Sequence, residues 1–322
     1  MLRCLVLLSA LLTSLTWFAS SVQAEVKPLE LKDGDRIVWV GGAFVERDQM
    51  YGYLETLLTA ANPDKNLTFR NLGWSGDTVE GIARGVFGGA NEGFQRLLKD
   101  LKVAQPTLVI LCYGANEAHA GETGVAAFEA NYKKLIDAVA QSGARIALVT
   151  PHRHEFVNRQ LPDPSIYNNK LPAYIATIKK LANEKGCALI DLVDLVPATA
   201  STDTTTKLTD NGVHFTAYGY WRVAPQIATA MGVKFDPNKL ALPEPKLESA
   251  EPSQEPLERL RRTINKKNEY WFHRHRPENE TYLFLFRKHE QGNNAVEIPQ
   301  FDPLIEAEEK QIAELKMLPA AK

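Results

Sequence analysis

Between Arg36 and Met231, short apolar runs alternate with longer stretches of helical spacing, and this restricts the fold more than any other feature. The runs are Ile37–Gly41, Leu67–Leu72, Thr107–Tyr113, Arg145–Thr150 and Ala188–Leu192. Each is short and continuously apolar, the pattern of strands buried on both faces of a parallel sheet. Between them lie apolar stripes of helical period. One is Met50, Leu54, Leu57, Leu58 and Ala61; a second is Phe128, Tyr132, Leu135, Ile136 and Val139; a third runs from Tyr167 through Leu171, Tyr174, Ile175 and Ile178 to Leu181. Repeated strand–helix–strand units predict a doubly wound α/β domain with a central five-stranded parallel sheet. In such a sheet, functional groups gather at the carboxyl ends of the strands.

The chain has 322 residues, of which 44% are hydrophobic. That is enough for one core of about 200–250 residues plus an appendage. With 37 basic and 39 acidic residues the net charge is −2, so nothing global favours nucleic acid or an anionic membrane. Residues 1–24 read as a secretory signal: Arg3 flanks a largely apolar run from Leu5 to Phe18, and "SSVQA" offers a small-residue cleavage site after Ala24. No later stretch is apolar enough to span a bilayer. The expectation is an exported protein, periplasmic or secreted, with no membrane span after cleavage. Cys112 and Cys187 lie in apolar runs and read as buried free thiols.

The main domain is expected over 25–233. A segment rich in proline and charge, 234–256, reads as a linker. The appendage, 257–322, combines helical and extended stretches. Leu257, Leu260, Ile264 and Trp271 have helical spacing, "TYLFLF" (281–286) reads as a buried strand or extended plug, and Asp302 with Pro303 reads as the start of a last helix. That helix would bury Leu304, Ile305, Ile312 and Leu315. Too small for a strong core of its own, the appendage is expected to pack on the main domain or on a protein partner. The basic cluster Arg259, Arg261, Arg262, Lys266 and Lys267 fits the wet face of an amphipathic helix.

Stretches with chemical potential sit at the expected strand ends. "VGGAFVERDQ" follows the first strand, "NLGWSGDT" (71–78) the second and "CYGANEAHAG" (112–121) the third; "LTDNGVHFTAYGY" (208–220) opens the final helix. A glycine in a tight turn frees its N–H, and an asparagine amide is a second donor, so Gly76 and Asn116 could form an oxyanion hole. His214, just before the last helix, would supply general acid–base chemistry.

This set resembles the SGNH/GDSL hydrolase family, named for its Ser, Gly, Asn and His blocks. "GGA" stands where the family has G-D-S, "NLGWSGDT" matches the second block, "YGANE" matches G-x-N-D, and "NGVH" matches D-x-x-H, in family order from Ile37 to about Tyr220. The resemblance implies a flavodoxin-like three-layer α/β/α sandwich. It implies cleavage of esters, thioesters or carbohydrate acetyl groups, with Gly76 and Asn116 as oxyanion donors and His214 as base. The tail "YWFHRHRPENETYLFLFRKHEQGNNAVEIPQFDPLI" (270–305), with "ERDQ", is similar to a subgroup of exported bacterial SGNH-like proteins.

Two family positions are altered. The nucleophile position holds Ala43, whose methyl group cannot attack a carbonyl; the first serine after residue 24 is Ser75, in the second block. The triad aspartate position holds Asn211, with Asp210 one step too far back. Asparagine can hold an imidazole but cannot stabilise the imidazolium by charge. Around the same rim, Glu46, Arg47, Trp74, Ser75, Arg153 and Glu155 are candidates for substrate binding, and His214 or Glu46 for activating water. His152 and His154 could share one side of an extended segment, but without a third ligand no metal site is expected, and no cofactor. Two readings stay open: an ester hydrolase of altered mechanism acting on carbohydrate acyl groups or small esters, or a non-catalytic protein binding a glycan or acyl ligand.

Overall fold

A computed structural model describes residues 28–197, 207–245, 254–290, 292 and 294–317. The expected signal segment and part of the expected linker lie outside the described residues. Five strands, β1 (Arg36–Gly41), β2 (Thr68–Gly73), β3 (Leu108–Cys112), β4 (Arg145–Val149) and β5 (Ala188–Ile190), form one sheet in the order β2-β1-β3-β4-β5. All neighbouring pairs are parallel. Helices α1 (Ala43–Tyr51), α2 (Tyr53–Ala60), α3 (Ala90–Ala104), α4 (Val125–Ala140), α5 (Ser165–Asn168), α6 (Leu171–Lys185) and α7 (Ala217–Ala230) accompany it.

Successive strand residues divide between two cores, as the period of two requires. Val38, Val40, Val109 and Leu111 face a cluster with Leu97 of α3, Tyr132 of α4 and Ile178 of α6. Ile37, Trp39, Leu108 and Ile110 face the opposite cluster, with Leu58 of α2 and Val223 and Ile227 of α7. The result is the α/β/α sandwich the sequence implies. The strand order reverses direction between β1 and β3, which opens a crevice at their carboxyl ends. Gly41 is required there: a Cβ would lie 2.5 Å from the Cys112 carbonyl oxygen on β3.

The tail forms α8 (Pro256–His275), α9 (Glu280–Leu283) and α10 (Phe301–Leu315). α8 lies along β2, the edge strand, and two of its side chains bond to carbonyls of that edge. Lys267 Nζ donates to the Phe69 carbonyl at 3.2 Å and Trp271 Nε1 to that of Asn71 at 2.9 Å. Covering an edge in this way blocks further strand pairing. Leu260 and Ile264 of α8 pack with Ile312 of α10.

Several expectations need correction. The stripe from Met50 to Ala61 is two helices, broken at Gly52 with φ +67, and Met50 is exposed. The 281–286 run is not a buried strand: α9 covers its start, and Phe284 and Phe286 are exposed. α10 begins at Phe301 with Gln300 at its N-cap position and no side-chain cap, so Asp302 stands in its first turn and pairs with Arg274 at 2.8 Å. Leu304 on that helix is exposed. Lys267 is not on a wet face but fully buried against Glu55. Both cysteines are free.

Candidate functional site

The β1–β3 crevice holds a cavity of about 140 Å³ lined by Gly42, Ala43, Asn116, His119, His152 and Tyr167, among others. Ala43 is the first residue of α1, so the amino end of that helix opens beside the cavity. No side chain caps it, and its dipole places partial positive charge there.

The two donor-bearing turns are cross-linked. Asn116 Nδ2 donates to the Asp77 carbonyl at 2.6 Å, using one of its two N–H bonds. Glu117 accepts from Val79 N–H at 2.8 Å and from Gly114 N–H at 2.9 Å. Beneath them, the buried Asp77 carboxylate accepts from Arg84 Nε at 2.7 Å and from the Tyr113 hydroxyl at 2.8 Å. Arg84 also reaches the Leu72 carbonyl at 2.7 Å. Gly76 has φ +77, a conformation only glycine adopts without strain, and its N–H has no acceptor among the described residues. The local fold thus fixes donors from two separate strand ends while leaving hydrogen-bonding capacity unused.

The histidine loop is ordered differently. Glu155 accepts from Leu208 N–H at 3.1 Å, Thr209 N–H at 2.8 Å and the Thr209 hydroxyl at 2.5 Å. Asn211 Oδ1 accepts from Val213 N–H at 3.0 Å and His214 N–H at 2.8 Å. That engagement turns Asn211 Nδ2 toward His214 Nδ1, at 3.2 Å. An amide nitrogen only donates, so Nδ1 must accept and the ring proton sits on Nε2. An aspartate would accept from Nδ1–H and leave Nε2 bare; asparagine imposes the opposite tautomer. Asp210 turns outward and pairs with Arg47 at 3.7 Å. Val213 lines the 140 Å³ cavity; His214 does not.

His152 does line it, and is buried. Its Nδ1 lies 2.9 Å from the Arg153 carbonyl, which can only accept, so the proton is on Nδ1 and Nε2 carries the lone pair. Its ring packs on Phe44 at 5.0 Å and edge-on to Phe215 at 4.9 Å. Burial in this aromatic setting lowers its pKa, only partly opposed by the Arg153 bond, so the ring is neutral at pH 7. His154 stacks on Tyr167 at 3.5 Å; burial, then the nearby His152 and His119, push its pKa down to about 3. Burial pushes the Cys112 thiol up to about 12, so no thiolate forms there at neutral pH. Among the described residues no group of three His, Cys, Asp or Glu side chains is placed to hold a metal ion.

Other rim candidates are committed elsewhere. Glu46 accepts from Ser75 N–H and forms an ion pair with Arg276 at 3.1 Å, so it is not an open base. The Arg276 guanidinium lies 3.8 Å from the centre of the Trp74 ring, which also meets Arg96 and Arg84. Arg153 reaches the Val193 carbonyl at 3.1 Å and pairs with Asp194; with Glu155 it borders a separate cavity of about 590 Å³. His154 lines both cavities. Sequence reasoning passed over His119 and Arg276; it set His152 on the rim after the fourth strand but gave it no role beyond a possible metal ligand. The signal for His152 was its place right after the fourth apolar run.

The family model described as GDSL-like lipase/acylhydrolase matches residues 34–222, which include every strand of the sheet. Among solved structures, a catalytic mutant of an acetylxylan esterase from Geobacillus stearothermophilus aligns with a TM-score of 0.50 and 19% identity, over 63% of this chain and 97% of that one. A gut microbial diltiazem-metabolizing enzyme aligns with a TM-score of 0.51 and 16% identity, over 65% of this chain and 49% of that one. At such identities the likeness is one of fold. No curated protein matches the sequence. The family match spans more than half of the chain and carries the strand ends described above, and the chain belongs to the GDSL-like lipase/acylhydrolase family.

Proposed function

We propose that the protein is an ester hydrolase, acting on acyl groups of carbohydrates or on small esters, in which water replaces the serine nucleophile. The observation that carries this is the pair of cross-linked donor turns at the Ala43 cavity. The second Asn116 N–H remains unspent at the cavity wall, beside an uncapped helix terminus, where an acyl oxygen would gain negative charge; Gly76, exposed and next in the chain to the lining residue Asp77, keeps a free N–H one residue away. A cavity of about 140 Å³ suits an acetyl or similarly short acyl group rather than a lipid chain. Acetylated xylo-oligosaccharides are the natural first substrates to try, since acetylxylan esterases share this fold. Ala43 excludes an acyl-enzyme at the family position. Ser75 is no substitute on this reading, since it does not line the Ala43 cavity. The amino-terminal pattern from Arg3 to Ala24 supports action outside the cytoplasm.

The Asn211–His214 contact favours a second reading, a binding protein for the same acyl group, because it removes the family base. Acetate release from a panel of acetylated sugars by wild type and Asn116→Ala separates the two. Hydrolysis predicts wild-type turnover above background, a slower variant and no labelling by a serine-directed fluorophosphonate. Equal background rates for both proteins would end the hydrolysis reading, and calorimetric titration of the same panel would then test binding.

A further inference from the structure

We propose that His152, rather than His214, is the residue that takes the proton from the attacking water. This rests on the hydrolysis reading above. Direct attack by water needs a neutral acceptor with an open lone pair beside the acyl carbon. His119, His152 and His154 line the cavity while His214, at the family position, stands outside its lining, and the hydrogen bonds of His152 and His214 give those two opposite roles. At His214 the Asn211 amide donates to Nδ1, so Nε2 is a donor. At His152 the Arg153 carbonyl takes the Nδ1 proton, so Nε2 is an acceptor. Of these two, His152 lines the cavity with Ala43 and Asn116, and its Nε2 has no partner among the described residues; of the other lining histidines, His119 is exposed and His154 is stacked flat on Tyr167.

The step balances as follows. The water oxygen bonds to the acyl carbon while a water proton passes to His152 Nε2. The acyl oxygen takes the electron pair of its π bond and is held by Gly76 N–H and Asn116 Nδ2. Collapse of the tetrahedral species breaks the bond to the alcohol oxygen, which takes the proton from the His152 imidazolium. Acid and alcohol leave, and the ring returns to neutral. Phe44 and Phe215 restrain the ring, but they also disfavour the imidazolium, so slow turnover is expected.

The test uses acetate release from an acetylated methyl xyloside. His152→Gln should lower kcat by about 100-fold or more with KM within about threefold, a loss typical of a removed general base. His214→Gln should cost about tenfold or less, as one donor is lost. A greater loss for His214→Gln than for His152→Gln would overturn the proposal. Because His152 is buried, a second measurement uses wild type alone: long-range nitrogen–proton NMR of the ring nitrogens. The expected pattern is Nδ1–H for His152 and Nε2–H for His214; the reverse at either ring sinks the assignment. Wild type that binds the xyloside without releasing acetate would fail the hydrolysis reading and this step with it. Turnover insensitive to His152→Gln would fail this step alone.

Discussion

The crevice at the ends of β1 and β3 and the seam between β2 and α8 are both rich in polar groups, yet they use them in opposite ways. In the seam, Lys267 pairs with Glu55 and the Phe69 carbonyl, Asn268 reaches the Glu55 carboxylate at 3.3 Å, and Trp271 holds the Asn71 carbonyl. These groups are consumed within the chain. In the crevice, equally firm bonds position Asn116, the Gly76 turn and His152, but each retains a donor or acceptor with nothing to meet. Buried polar groups cost free energy unless paired. In the seam those groups meet that cost by pairing within the chain; in the crevice Gly76 is exposed and Asn116 half-buried, so their unspent capacity stays open to water and is available to a ligand. The family likeness ends at residue 222, yet Arg276 returns from the tail to Glu46 and Trp74 beside the crevice. The tail thus supports the cleft from outside the matched region.

The largest effect should come from breaking the seam. Lys267→Met leaves the Glu55 carboxylate buried without its cation and should destabilise the protein by about 3–5 kcal/mol, read by urea unfolding. Adding Glu55→Leu should recover most of that loss, because the cost lies in the unpaired charge. A loss below about 1 kcal/mol for Lys267→Met would mean that the tail docks without contributing to the fold. The crevice should respond the other way. Asn116→Ala forfeits one bond to Asp77, worth about 1 kcal/mol of stability, yet should lower kcat on acetylated sugars by about 100-fold or more. A variant equally damaged in both measures would contradict the division of labour.

The pH dependence of stability separates the regions further. Asp100 on α3 is buried, and burial lifts its carboxyl pKa to about 6, against the opposing fields of Arg96 and Arg84. A folded-state pKa above the unfolded value means that the folded state binds the proton more tightly. The associated stability is therefore complete below pH 4 and is lost as pH rises through 6. At about 1.4 kcal/mol per unit, the loss approaches about 3 kcal/mol by pH 7. Asp100→Asn should flatten this limb of the stability profile between pH 4 and 7. An unchanged limb would place its origin elsewhere.

What the sequence revealed follows from where each signal resides. β1 and β3 are legible because both faces of each strand are buried, which leaves a continuous apolar run. β5 shrinks to Ala188–Ile190, since Asp191 turns out to Lys179. Gly52 broke a helix whose apolar spacing looks continuous, because a stripe does not register a left-handed residue. The 281–286 run misleads since short apolar segments have no diagnostic period. Lys267 looked solvated because its partner Glu55 lies 212 residues away. In the crevice, Ala43 and Asn211 were legible residue by residue as differences from the resembled motifs. The role of His152 was not, because a tautomer is set by the carbonyl that happens to face the ring, and no residue type encodes that.

The smallest effect tests the histidine loop, where a carboxylate stands next to Asn211 in the chain. Asp210 is about half exposed and pairs with Arg47 at 3.7 Å; such pairs contribute about 0–1 kcal/mol. Arg47→Ala should therefore change stability by no more than about that. Its value lies in the His214 ring. If only the Arg47 pair keeps Asp210 away from Nδ1, releasing it would let the carboxylate replace the Asn211 amide, and the ring proton would move to Nδ1. The Asn211 carboxamide is held by two backbone N–H groups, at 3.0 and 2.8 Å, and neither involves Arg47. The expected outcome is an unchanged Nε2–H signal for His214 in nitrogen–proton spectra of Arg47→Ala. A shift to Nδ1–H would show that an Asp–His pair is one side-chain rotation away, and that the His214 tautomer is set by Arg47 rather than by Asn211.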